Sequence, residues 1–109
     1  ISLTAAHSPQ QRVLVLLHGY MQRVREHPAL MLCVFSSPAL FTQSLAHFTQ
    51  QLEHEIAQFD ATPTVLRDVL VDYTNGYALS IALAPEPVDA DASQFHAAIE
   101  RLLRTAQPL

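Results

Sequence analysis

Apolar positions recur at helical spacing along nearly the whole chain, and Ser/Thr-Pro pairs punctuate them. Ser8-Pro9-Gln10-Gln11 opens the first periodic stretch: Ser8 reads as N-cap, Pro9 sits where a missing N–H costs nothing, and Gln11 closes a capping box. The stretch runs to about Glu26 with Val13, Leu14, Leu17, Tyr20, Met21 and Val24 on one face. Ala29 to Phe35 is apolar throughout and is expected to be a short buried helix, because a lone strand among helices has no pairing partner. Ser37-Pro38 starts the next stretch, Ala39 to Asp60. There Phe41, Leu45, Phe48, Leu52, Ile56 and Phe59 line one face, and Gln43, His47, Gln50 and His54 face away.

Thr62-Pro63 caps the stretch on which the chain is organised, a long helix reaching Ala84. Its wheel puts Leu66, Val69, Leu70, Tyr73, Tyr77 and Ala84 in one stripe and Val71, Ala78 and Ala82 opposite. Beyond Ala78 only Ser80 is polar, and a helix apolar nearly all round is buried nearly all round. So short a chain has little left to cover the second face, so a homodimer is expected through Gly76, Ala78, Leu79, Ser80, Ile81, Ala82 and Leu83. Gly76, Ser80 and Ala84 form a line of small residues suited to close approach. Pro85-Glu86-Pro87 stops the helix. After an acidic loop, Asp91 and Gln94 resemble a capping box for a last helix, Ala92 to about Ala106, with Phe95, Ala98, Ile99, Leu102 and Leu103 on one face. Five helices and no strand make an all-α protein, with residues 1–109 forming a single domain.

Composition narrows the function. Half of the 109 residues are hydrophobic, 15% are charged, and the net charge is −4. The few cations are all arginine and form no basic stripe, so this segment is not expected to bind nucleic acid by itself. The lone Cys33 cannot form an internal disulfide, which fits a reducing cytoplasm. The longest apolar run, Ala78 to Ala84, is too short to span a bilayer. Ile1 is an unusual start, and the chain reads as a fragment with a segment missing upstream.

Chemistry is sparse. His47 and His54 lie two helical turns apart, about 10 Å, too far to ligate one ion, and no H-x-x-x-H or C-x-x-C pair occurs. Cys33 has no Gly-rich turn beside it, G-x-S-x-G is absent, and phosphate-cradling glycines are lacking. No enzyme, metal or cofactor is expected. A small-molecule pocket between helices is the better candidate, with His18, Tyr20, Cys33, Phe41, Ser44, Phe48, Tyr73 and Tyr77 as candidate ligand contacts. A tyrosine on an apolar face is more often simply packed, with its hydroxyl at the rim.

The order of these elements carries a resemblance. A helix ends in R-E-H-P (Arg25 to Pro28), a short apolar helix stops before S-P (Ser37-Pro38), and a long helix ends in Q-F-D (Gln58 to Asp60). Then come T-P with L-x-D-Y-x-x-G-Y (Leu70 to Tyr77), a Pro-containing acidic loop, and F-x-x-x-I-x-x-L-L (Phe95 to Leu103). From Ser8 to Ala106 this pattern resembles the C-terminal effector-binding and dimerisation domain of the tetracycline-repressor (TetR) family of bacterial transcription regulators. The resemblance implies a five-helix bundle whose last two long helices, Thr64 to Ala84 and Ala92 to Ala106, pair across a two-fold axis. Phe95, Ile99, Leu102 and Leu103 would then join the dimer interface. It further implies an N-terminal helix-turn-helix head, absent from this chain, that carries operator binding, and a small-molecule effector that releases the regulator from DNA. The alternative is a helical homodimeric interaction module without a ligand.

Overall fold

The computed structural model describes residues 7–84 and 92–109, apart from the side chains of Phe35, Phe41, Thr42 and Ser44. Among these residues the chain forms five helices: α1 (Pro9–Glu26), α2 (Pro28–Phe35), α3 (Pro38–Ile56), α4 (Pro63–Leu83) and α5 (Ser93–Leu103). The first four each begin on a proline, whose fixed φ suits the first helical position. At α1 the expected capping box is complete: Gln11 N–H donates to Ser8 Oγ at 3.2 Å and Ser8 N–H donates to Gln11 Oε1 at 2.8 Å. Ser37 and Thr62 occupy the N-cap positions of α3 and α4 but make no side-chain cap bond. The α3–α4 corner is held by Asp60 instead. Its buried Oδ1 accepts from the Thr62 N–H at 2.7 Å and the Thr62 hydroxyl at 3.2 Å, an Asx turn. Beside it the Ala61 N–H donates to Gln107 O at 2.9 Å, tying the C-terminal segment to the same corner.

Both α1 and α4 pack against all four other helices, whereas α5 meets only α1 and α4. The bundle therefore has an α1/α2/α3 side and an α1/α4/α5 side. The core is Val13, Leu17, Tyr20, Met21 and Val24 of α1, Leu45, Leu52 and Ile56 of α3, Leu66, Leu70 and Ala78 of α4, and Phe95, Ile99 and Leu103 of α5. Burying Phe95 and Ile99 completely contributes about 1.5–3 kcal/mol each before ordering entropy is subtracted. On α1 the Arg12 guanidinium pairs with Glu55 of α3, and it also donates to His7 O at 2.6 Å and Gln58 Oε1 at 3.2 Å.

Four expectations need correcting. α2 is a helix, but its described residues are not buried: Leu30 is 60% exposed, Cys33 is exposed, and none of the α2 residues whose side chains are described joins the buried core. An apolar octapeptide packed along one side of a small bundle leaves its far side in water. α3 ends at Ile56 rather than Asp60, because the chain must turn there to deliver Asp60 to the corner. α5 ends at Leu103, short of Ala106. The inward face of α4 is rotated from the expected one. Leu66, Leu70, Thr74 and Ala78, spaced by four, are buried, while Val69 is 43% exposed. The expected Asp91 cap and the 85–91 loop lie outside the described residues. The N-cap of α5 is Ala92, in left-handed backbone at φ 61°.

Candidate functional site

A cavity of about 350 Å³ opens on the α1/α2/α3 side. Tyr20 and Arg23 reach it from α1, three residues apart and so on one face. Leu30, Met31 and Val34 form the α2 wall, and Leu45 and Phe48 the α3 wall. The Tyr20 and Phe48 rings are stacked, with centroids 5.3 Å apart and planes at 26°. Burial pushes the Tyr20 phenol up to about 12, so it stays neutral and able to donate across the physiological range. Its hydroxyl donates to Asn75 Oδ1 on α4 at 2.9 Å. A volume of this size lined mainly by apolar side chains with one or two polar groups falls within the usual range of small-molecule pockets.

Of the candidate ligand contacts, Tyr20 and Phe48 line this cavity. Cys33 faces solvent on α2. The side chains of Phe41 and Ser44 lie outside the described residues. His18, Tyr73 and Tyr77 are gathered instead on the opposite side of the bundle, around the buried Phe95 of α5. The ring centroids lie 5.6, 6.1 and 5.3 Å from that of Phe95, with His18 edge-on. These three are core aromatics of the α1/α4/α5 side and do not join the cavity. Next to them His18 Nε2 lies 2.9 Å from His96 Nδ1, and His96 Nε2 lies 2.7 Å from Glu100 Oε1. His96 thus bridges His18 of α1 and Glu100 of its own helix, with the donor and acceptor roles of the two rings set by their tautomers. Among the described residues no group of three His, Cys, Asp or Glu side chains could hold a metal ion.

The candidate dimer residues divide. Ala78, Phe95, Ile99 and Leu103 are buried in the chain's own core and have no surface left to offer a second subunit. Ile81, Ala82 and Leu102 are half-buried against that core. Gly76, Leu79, Ser80 and Leu83 are exposed. The free apolar face of α4 extends further toward its N-terminus than expected. Val65, Val69, Leu79 and Leu83 are 63, 43, 39 and 63% exposed. With Asp72 and Gly76 between them, they follow the alternating four-three spacing of a coiled-coil seam. A Cβ added at Gly76 would meet nothing within 4 Å among the described residues, so none of them requires the glycine by a close approach.

Sequence reasoning missed Arg23, Leu30, Met31, Val34 and Leu45 as cavity residues. The signal for Arg23 was available in its position one turn after Tyr20. That for α2 was not, since an all-apolar octapeptide does not reveal which side faces a void.

Among the described residues, fold and site define an all-α bundle of five helices with an apolar cavity on one side and an exposed apolar helix face on another. No family model matches the chain, and no curated protein or solved structure matches it either. Among the described residues no single helix is long and apolar enough to cross a membrane.

Proposed function

We propose that the chain is the effector-sensing and dimerisation domain of a bacterial transcription regulator of the TetR type. The cavity takes a small, mainly apolar effector, and the exposed α4 seam pairs with a second copy of the chain. The observation that carries this reading is the placement of Tyr20. One side chain lines the cavity, stacks on Phe48 and holds Asn75 on the helix that bears the seam, one residue before Gly76. An effector that displaces the Tyr20 ring shifts its hydroxyl relative to Asn75, and α4 moves relative to α1. In a dimer paired through α4 such a shift changes the spacing of the two DNA-reading heads. Half-site spacing is geometrically strict, so a small change lowers operator affinity.

The seam taken alone also suits a homodimeric interaction module that senses nothing. Two measurements separate the readings. Sedimentation at tens of micromolar is expected to give a mass twice 12.1 kDa, shifted to the monomer by Leu79→Asp. A wild-type monomer overturns the dimer, and an unchanged mass for the variant overturns the choice of surface. A thermal-shift screen of small apolar compounds is expected to raise the melting temperature of the dimer. A dimer that no compound stabilises leaves the interaction module.

A further inference from the structure

Resting on the cavity reading above, we infer that the ligand is a planar aromatic carboxylate, with its ring against the Tyr20–Phe48 stack and its anionic group at Arg23. Among the described residues, the side chains lining the cavity are apolar except at two points. One, the Tyr20 hydroxyl, is already committed to Asn75. The other is Arg23, the charged side chain among the lining residues. Its guanidinium has no hydrogen bond or ion pair among the described residues, in contrast to Arg12 and Arg67, which are paired with carboxylates.

Three physical points select the ligand class. The flat Tyr20–Phe48 pair and the thioether of Met31 favour a polarisable ring over a branched aliphatic body. A guanidinium at the mouth of an apolar cavity offers two parallel N–H donors that match a carboxylate, and it repels a cation. The protein carries a net charge of −4, so an anion is not gathered by the overall field and must be held by a local cation. Because Arg23 is exposed, the attraction is partly screened, and the preference for the anion falls as salt is raised.

The test is isothermal titration of the full chain with 2-naphthoate, 2-naphthamide and 2-naphthylmethylamine, which share one ring system and differ in charge. Naphthoate is expected to bind about tenfold more tightly than the amide at low salt, with the cation weakest. Arg23→Gln is expected to bring naphthoate to within about twofold of the amide and leave the amide's affinity unchanged. Arg23→Lys is expected to retain part of the preference. Circular dichroism melting of the variants confirms that they fold. Equal affinity for acid and amide in the wild type, or a preference for the amine, overturns the carboxylate inference while leaving the cavity reading intact. If Arg23→Gln weakens acid and amide alike, Arg23 shapes the cavity rather than binding charge, and the inference also falls. Failure of all three compounds to bind overturns the aromatic-carboxylate inference, and the cavity reading then stands or falls with the thermal-shift screen.

Discussion

The Tyr20 hydroxyl donates to Asn75 Oδ1 across 2.9 Å and joins α1 to α4 from within the cavity wall. A neutral side-chain bond of this kind contributes about 1 kcal/mol net. Tyr20→Phe and Asn75→Ala are each expected to lower stability by about that much, and the double variant by less than the sum. Urea unfolding of the four proteins measures the coupling, and strict additivity would show that the bond is not made. The same hydroxyl predicts a pH dependence. Its proton is held more tightly in the folded chain, at about 12 against 10.0 for the unperturbed phenol. The associated stability is fully present below pH 10 and is lost as pH rises from there toward 12. Tyr20→Phe is expected to flatten the part of the alkaline decline that wild type owes to this group.

Thr74 supplies a second test. It lies in the inward row of α4 between Leu70 and Ala78, and its buried Oγ1 has no hydrogen-bond partner among the described residues. Thr74→Val replaces that hydroxyl by a methyl of the same shape and is expected to leave stability unchanged or raise it by about 1 kcal/mol. A rise in the chemical denaturation midpoint at constant m-value would register the gain. A loss of more than about 1 kcal/mol would mean that the hydroxyl is satisfied in solution.

Ala92 supplies a third. It is the N-cap of α5 and sits at φ 61°, ψ 16°, where a Cβ costs roughly 1–2 kcal/mol. Ala92→Gly removes that cost but frees the unfolded chain, so a net gain of about 0.5–1 kcal/mol is expected. Ala92→Val, with a branched Cβ, is expected to destabilise. Melting temperatures of the three proteins give the ranking, and a destabilised glycine variant would show that this residue is not left-handed.

What the sequence determined by itself was local. Proline at the first helical position, the Ser8–Gln11 box and apolar positions every three or four residues act within one turn of backbone, so the order of five helices and the starts of α1, α3 and α4 could be read directly. The alternation on α3 likewise fixed its faces, since Leu45, Leu52 and Ile56 are buried while His47 and His54 are exposed. Tertiary structure decided the phase of α4. A helix apolar almost all round has no unique inward direction in its own pattern, and the buried row Leu66, Leu70, Thr74 and Ala78 is selected by the neighbours that close over it. The same neighbours leave Val65, Val69, Leu79 and Leu83 outside. Only the assembled bundle brings His18 against His96, far apart in the chain, and separates Tyr73 and Tyr77 from the cavity that Tyr20 lines. A cavity is a gap between elements, and periodicity within one element carries no information about it.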